Sequence, residues 1–221
     1  GWGITSSYLD DQDVIIEKLN PSNPEEYETP EGFVPFETRR SIITVKDADP
    51  VTITLRWSKS GPVLPGSHYD LASITPAGHV AALSWTALSP QDTSLTASMR
   101  LMRAGSVAEA IEAGKLFIAP AQNLMLADAK GVAMQTVGVM PQRDIASQSQ
   151  GRIPSPGWVG ANRWIGTLPY EDNPRVIAPS TGLLGNTNNK TVDRPFPRHV
   201  SFEWGDTQRI QRWTRLMQER E

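Results

Sequence analysis

The chain has 221 residues and a nearly balanced charge, with 21 Lys and Arg against 24 Asp and Glu and a formal net charge of −3. This charge argues against a nucleic-acid coat protein, which needs a basic face to neutralise phosphates. With 38% hydrophobic and 20% charged residues, the chain is too apolar to be disordered. Its length suits one large domain or two small ones.

Turn-forming residues and cysteine usage narrow the class further. The 17 Gly and 18 Pro indicate many loops, which favours β structure over a helical bundle. No window approaches the ~18–20 apolar residues that span a bilayer. Because the chain opens at Gly1 with neither Met nor a signal-peptide pattern, we expect a processed chain or a piece of a longer protein. The lack of Cys excludes disulfides and thiolate chemistry and fits a periplasmic or extracellular bacterial protein.

The first half of the chain predicts mainly β-strands, from β-branched runs and alternation. Residues 20–35 hold four prolines and four glutamates without periodicity, so we expect a surface excursion there. Residues 60–64 are expected to interrupt the strand pattern, and residues 46–50 to turn a hairpin. The predicted strands cover residues 2–7, 14–19, 37–45, 51–57 and 80–87.

The second half predicts helices and one further hairpin. Ser106 and Glu109 form a capping box, which starts a helix that should run to about residue 116. Residues 123–128 and 132–139 predict a hairpin, and residues 141–160 read as irregular. A final amphipathic helix is expected from Asp206, with one apolar face made of Ile210, Trp213 and Met217.

Several familiar catalytic motifs are absent. The three histidines, His68, His79 and His199, show no metal-binding spacing. The chain has neither a G-x-S-x-G elbow nor a phosphate-binding G-x-x-x-x-G-K-[ST] loop. Asn189-Lys190-Thr191 matches a glycosylation sequon, which is a weak signal. The residues alone therefore show no convincing nucleophile.

Three local features carry possible chemistry. Three carboxylates fall within Asp10-Asp11-Gln12-Asp13, a segment that either binds a hard cation or is a solvated acidic turn. The side-chain amides of Asn188 and Asn189 either donate to an oxyanion or shape a turn. Arg209, in the last helix, is either a site residue or a solvated surface charge.

The order of short motifs along nearly the whole chain resembles the penicillin acylase (penicillin amidase) family of N-terminal nucleophile hydrolases. The resemblance implies an α+β fold, part of a four-layer αββα sandwich of mostly antiparallel strands. Residues 1–221 would be a β-chain segment of a larger catalytic domain. The motifs are Gly1-Trp2-Gly3-Ile4-Thr5, Asp10-Asp11-Gln12-Asp13, Ser60-Gly61-Pro62-Val63-Leu64, Ala127-Asp128-Ala129-Lys130-Gly131, Leu168-Pro169-Tyr170 with Asn173-Pro174, Asn188-Asn189, and Trp204-Gly205-Asp206 with Arg209-Ile210.

The resemblance also implies a mechanism. In this family a precursor cuts itself, and the new N-terminal serine of the β chain attacks the substrate with its own α-amino group as base. That serine is not in this chain, so we expect the chain to be inactive without an α chain and the rest of the β chain. The implied oxyanion donors are the Ser6 N–H and the Asn188 amide, with Asn189 the less favoured of the pair. Arg209 would hold the network.

The family pattern further implies a calcium site and an acyl pocket. Asp10 and Asp13 would supply carboxylates, and Gln12 and a residue near Gly151 backbone carbonyls, with a glutamate from the α chain. Gln12 stands where the family often has an apolar residue, which a carbonyl ligand tolerates. The acyl-pocket positions are Ile4, Met99 and Gln122, unless these three only pack in the core.

The sequence therefore predicts an amide hydrolase that removes an acyl group from a small-molecule amide. Because Met99 is flexible and Gln122 is polar, an aliphatic or other acyl chain fits at least as well as a phenylacetyl group. The alternative is a non-catalytic, Ca²⁺-dependent, β-rich binding module that uses exposed Trp residues for a ligand.

Overall fold

The structure, a computed structural model, describes residues 1–192 and 200–219. Within these ranges no helix is long and apolar enough to cross a membrane. The strands are β1 Trp2–Ser6, β2 Gln12–Asn20, β3 Asn23–Thr29, β4 Gly32–Pro35, β5 Glu37–Ile43, β6 Val51–Ser58, β7 Gly61–Leu64, β8 His79–Trp85, β9 Gln122–Ala127, β10 Val132–Val137, β11 Pro141–Arg143, β12 Ser155–Pro156, β13 Trp164–Thr167 and β14 Arg175–Ile177. The α-helices are α1 Ser94–Leu101, α2 Val107–Gly114 and α3 Gln208–Gln218.

The chain divides into two compact units. The first comprises Gly1–Asp11, Ser89–Pro141 and Thr167–Glu221, and the second comprises Gln12–Leu88 and Gln142–Gly166. The chain length allowed one large domain or two small ones, and the structure contains two compact units.

The first unit is built on a four-stranded antiparallel sheet in the order β1-β9-β10-β14. Leu124 and Leu126 alternate along β9, so both face the same side of the sheet. On that side they pack with Ala110 of α2 and with half-buried Leu101 and Phe117. This apolar layer between sheet and helices is the core of the first unit.

The predicted capping box at the start of α2 is present. The Ser106 hydroxyl accepts a hydrogen bond from the Glu109 N–H at 3.2 Å, and the Glu109 carboxylate accepts from the Gly105 N–H at 2.9 Å. Asp128 adds a second cap, because its Oδ2 accepts from the Val107 N–H at 2.9 Å. This Val107 N–H is the main reason that the pKa of Asp128 lies below its ordinary value. The β9–β10 turn and the α2 N-terminus are thus joined through one carboxylate.

The second unit contains an eight-stranded sheet. Seven of its strands follow the order β4-β3-β2-β8-β7-β6-β5, and the eighth, β12, pairs in parallel with β2. Strands β11 and β13 form a separate two-stranded sheet. The predicted β5–β6 hairpin is confirmed, with Ile43 paired to Val51 beside the turn. One core cluster of this unit gathers Ile16, Leu71 and Ala81.

Two local predictions were wrong, and one helix was not predicted. Residues 20–35 form the β3–β4 hairpin rather than an irregular excursion; Tyr27 is only 2% exposed and its ring stacks on Phe36 at 4.6 Å. Residues 60–64 continue the sheet as β7, since Gly61 adopts φ 128 directly against the Leu83 backbone. Helix α1 was missed because its buried face consists only of Ser94 and Ala97, a weak apolar signal. The final helix α3 is confirmed, and Ile210, Trp213 and Met217 are its half-buried residues.

Candidate active site

Strand β1 lies at the edge of its sheet and presents backbone groups there. Gly1 and Ala127 exchange both of their N–H···O bonds, at 2.6 and 2.9 Å. Hydrogen-bonded and non-hydrogen-bonded pairs alternate along an antiparallel ladder, so Ser6, opposite Gln122, falls in a non-hydrogen-bonded pair. The N–H and C=O of Ser6 therefore both point away from β9, to the open edge.

Asn188 reaches this edge from the other end of the chain. Its Nδ2 donates to the Ser6 carbonyl at 3.3 Å, across 182 positions of sequence. Its backbone has φ 65, in the left-handed region that Asn tolerates better than most residues, and its carbonyl accepts from the Gly205 N–H at 3.1 Å. Asn188 therefore shapes a turn, and its side chain contacts β1, while its role as an oxyanion donor stays a prediction.

Arg209 sets which end of the Asn188 side chain faces β1. Its Nη2 donates to Asn188 Oδ1 at 2.9 Å. A guanidinium carries only donors, so it must meet the amide oxygen, and the NH₂ group must then face Ser6. Among the described residues the structure gives Nδ2 one acceptor, the Ser6 carbonyl, whereas an amide nitrogen has two hydrogens to donate. One N–H of Asn188 thus remains for a ligand beside the Ser6 N–H.

Asn189, the less favoured of the pair, is engaged in its own loop. Its Oδ1 accepts from the Thr187 N–H at 3.0 Å and its Nδ2 donates to the Lys190 carbonyl at 2.9 Å. A parallel bridge pairs Asn189 with Gly205. These contacts give Asn189 a role in the loop conformation and leave the contact with β1 to Asn188.

An apolar cavity of about 110 Å³ lies on the helix-facing side of β1 and β9. Ile4 and Gln122, two of the predicted acyl-pocket residues, both line it. Met99 does not, although its neighbour Ser98 does, and the Met99 side chain is 46% exposed. Further lining comes from Trp2, Leu101, Phe117 and Leu124.

Ile4 and Trp2 remain more than half exposed, so they are not plain core residues. The cavity and the Ser6 edge share strand β1, which places an apolar pocket two residues from the exposed N–H. An apolar cavity beside a few polar groups is typical of a small-molecule site, and the 110 Å³ here is smaller than the ~300–1,000 Å³ of a complete ligand pocket.

The acidic segment is split between the two units, with Asp10 and Asp11 in the first and the other two residues in the second. Asp13 is 5% exposed and its carboxylate is held by three N–H donors: Arg143 Nε at 3.0 Å, Arg143 Nη2 at 2.6 Å and Trp164 Nε1 at 2.6 Å. Gly151, at φ 82, lies directly against Asp13 Oδ1. The structure thus brings Asp13 and Gly151 together, and it adds a partner, Arg143, that sequence reasoning missed.

The donor set around Asp13 fits a cation site only in part. A carboxylate offers about four lone-pair positions; two N–H groups donate to Oδ2 and one to Oδ1, so the remaining position is on Oδ1. Within residues 1–192 and 200–219 no group of three His, Cys, Asp or Glu side chains is arranged to hold a metal ion. The side chain of Gln12 is exposed, as expected for a residue that would contribute only its carbonyl.

A family model of penicillin amidase matches residues 1–221. The chain belongs to the penicillin amidase family. It is 29% identical to an acyl-homoserine lactone acylase, QuiP, of Pseudomonas syringae pv. tomato, over 97% of this chain and 25% of that protein. It is also 29% identical to penicillin G acylase of Escherichia coli, over 99% of this chain and 25% of that protein.

Among solved structures, a thermostable penicillin G acylase from Alcaligenes faecalis matches 100% of this chain and 38% of its own, with a TM-score of 0.83 and 24% identity. The expected α+β fold with mostly antiparallel strands is confirmed by this match. The chain spans about a quarter of the length of the curated relatives given above.

Proposed function

We propose that this chain is the part of an amide hydrolase that stabilises the oxyanion and binds the acyl group. The observation that carries the proposal is the Asn188 amide, which Arg209 orients towards the exposed backbone of Ser6. In this proposal the Ser6 N–H and the second N–H of the Asn188 amide would both face a ligand at the open edge of β1. An acyl carbonyl oxygen placed between them would gain most as it becomes negative, since such donors act chiefly in the transition state.

The nucleophile is proposed to be an N-terminal serine outside this chain, exposed when the precursor cleaves itself. Its hydroxyl would add to the amide carbonyl, its α-amino group would take the proton, and the same proton would leave with the amine. Water would then add to the carbonyl of the acyl-serine ester and give a proton to the α-amino group. The ester bond would break, the serine oxygen would take that proton, and the carboxylic acid would be released. In this account the chain hydrolyses no amide without the α chain and the remainder of the β chain.

The acyl group is proposed to be aliphatic. The lining of the cavity beside Ser6 contains more aliphatic residues, among them Ile4, Leu101 and Leu124, than aromatic ones, Trp2 and Phe117; it would accept a hydrocarbon chain and also an aromatic ring. The relatives are compatible with an aliphatic and with an aromatic acyl group, since some are acyl-homoserine lactone acylases and others penicillin acylases. An N-acyl amide with a straight acyl chain is therefore our first choice of substrate.

A structural calcium ion is proposed at the acidic segment. Asp13 Oδ1 and the Gly151 carbonyl would form one side of its site, with Asp10, the Gln12 carbonyl and a glutamate from the α chain as further ligands. The ion would cross-link backbone segments and take no part in the reaction. We also propose a periplasmic or extracellular location, where free Ca²⁺ is plentiful.

The proposal is tested with the complete protein of which this chain is part. It should be expressed in active form and incubated with a decanoyl anilide and a phenylacetyl anilide at equal concentration. We expect release of aniline from both, with the higher kcat/KM for the decanoyl compound. Mass spectrometry should find a new N-terminal serine. Absence of aniline release together with an intact, uncleaved polypeptide would overturn the proposal.

A further inference from the structure

Asn186 lies at the centre of a hydrogen-bond network behind the candidate oxyanion site. Its Oδ1 accepts from the Thr5 hydroxyl at 2.6 Å, from the Asn188 N–H at 2.9 Å and, more weakly, from Asn123 Nδ2 at 3.5 Å. One oxygen atom thus contacts strand β1, the loop that carries Asn188, and strand β9.

The network is anchored in the interior of the first unit. Asn123 is fully buried, and its Oδ1 accepts from the Thr136 hydroxyl of β10 at 2.9 Å. Its Nδ2 also approaches the Thr5 hydroxyl at 3.4 Å. Buried polar networks with satisfied hydrogen bonds rigidify their surroundings, so Asn186 is connected through Asn123 to the buried interior of the sheet.

Each contact of Asn186 acts next to one of the two proposed donors. Thr5 immediately precedes Ser6, so the bond to its hydroxyl restrains β1 at the point where the Ser6 N–H is exposed. The bond to the Asn188 N–H closes a two-residue Asx turn, which supports the left-handed φ of Asn188. Within residues 1–192 and 200–219, the direct hydrogen bond between Asn188 and β1 is made by the Asn188 side chain, from Nδ2 to the Ser6 carbonyl.

We infer that Asn186 is a positioning residue that fixes the distance between the two oxyanion donors. The inference rests on the proposed function, because it assigns Asn186 to that same site. Asn186 touches neither substrate nor reacting atoms; it acts through Asn188 and Ser6. A misplacement of about 1 Å at such a site costs on the order of 10²-fold in rate.

The chain offers a matched pair of substitutions to test this. Thr5→Val removes a hydroxyl that donates to Asn186, whereas Thr187→Val removes one that donates to Asn189 Oδ1 at 3.4 Å in the same loop. Both replace Thr with a residue of the same shape, so their difference reports the loss of the Thr5 hydroxyl, which donates to Asn186 at 2.6 Å and accepts from Asn123 Nδ2 at 3.4 Å. Asn186→Ala removes the shared acceptor itself.

The experiment measures kcat and KM of the complete enzyme with the decanoyl anilide, and crystal structures of the variants. We expect Asn186→Ala to lower kcat by roughly 10–100-fold and Thr5→Val by about threefold to tenfold, with KM within about twofold. Thr187→Val should stay within about twofold of the unmodified enzyme. In the Asn186→Ala crystal structure, Asn188 should leave the left-handed region and its Nδ2 should move away from the Ser6 carbonyl.

The possible outcomes separate the inference from the proposed function. If Asn188→Ala lowers kcat but Asn186→Ala and Thr5→Val do not, the inference is overturned and the proposed function stands. If the unmodified enzyme cleaves no acyl amide, the proposed function fails, and the crystal structures alone decide about Asn186. Asn188 unchanged in the Asn186→Ala structure would overturn the inference in either case.

Discussion

Substitution of Arg143 by Met should destabilise the second unit strongly, because it leaves a buried carboxylate without its counter-ion. The side chains of Arg143 and Asp13 are 8% and 5% exposed, and two N–H···O bonds join them at 2.6 and 3.0 Å. Three N–H groups donate to the Asp13 carboxylate, and after the substitution only that of Trp164 Nε1 remains among them. Loss of one partner of a buried pair costs about 3–5 kcal/mol.

The assay is thermal unfolding of the chain, followed by circular dichroism or calorimetry. At about 2–4 °C per kcal/mol for a chain of this size, the melting temperature of the Arg143→Met variant should fall by roughly 6–20 °C. Adding Asp13→Asn to Arg143→Met removes the uncompensated charge and keeps an acceptor for Trp164, so much of the loss should be recovered.

The matched control is Lys115→Met. Lys115 pairs with Glu112 at 3.1 Å and Glu171 at 3.2 Å, but all three side chains are well exposed, so the melting temperature should change far less. If Arg143→Met and Lys115→Met have equally small effects, Asp13 is solvated and the reasoning about its burial is refuted.

Three further outcomes are expected. Gly114→Ala should cost about 1–3 kcal/mol in denaturant unfolding, since a Cβ there would meet the Tyr170 hydroxyl at 2.5 Å and Val137 Cγ1 at 2.8 Å; an unchanged midpoint would contradict this packing. The stabilisation by Asp128, whose pKa is lowered chiefly by the Val107 N–H, should be present above the unfolded-state pKa of about 3.9 and lost as the pH falls through the folded-state value; the difference in melting temperature between the unmodified chain and Asp128→Ala should therefore shrink in acid, and a difference that grows there would refute the assignment. Millimolar Ca²⁺ should raise the melting temperature of the complete protein and chelation should lower it, whereas no response to either would remove the calcium proposal.

The sequence predicted the elements whose signals are local. The β5–β6 and β9–β10 hairpins have turn residues between segments of strand-like apolar pattern. The residues Ser106 and Glu109, three positions apart, predict the cap of α2. The β3–β4 hairpin was missed because its apolar residues are separated by Pro and Glu. Its strands lie at the end of the sheet order, with Pro24 near the start of β3 and Pro35 at the end of β4, positions where Pro is tolerated.

The site could not be assembled from local patterns. Ser6, Asn188 and Arg209 were selected through a family resemblance, and the contacts between them join β1 to segments more than 180 positions away. Asn186 lies in the same Asn-rich run as Asn188, yet its bond to Thr5 depends on the tertiary structure alone. The same holds for Arg143, which meets Asp13 across 130 positions. Residue type identifies a donor or an acceptor, but its partner is set by the fold.

The most direct test of the oxyanion assignment is the rate of acyl transfer in the complete enzyme with Asn188→Ala, compared with Asn189→Ala. Loss of one oxyanion donor should lower kcat by roughly 10²–10³-fold with little change in KM, because that donor binds the transition state far better than the ground state. Asn189→Ala should have a milder effect, since the contacts of Asn189 within the described part of the chain are to its own loop and to the Gly205 backbone. Equal, small effects of the two substitutions on kcat, or a change confined to KM, would contradict the assignment of Asn188 as a donor to the oxyanion.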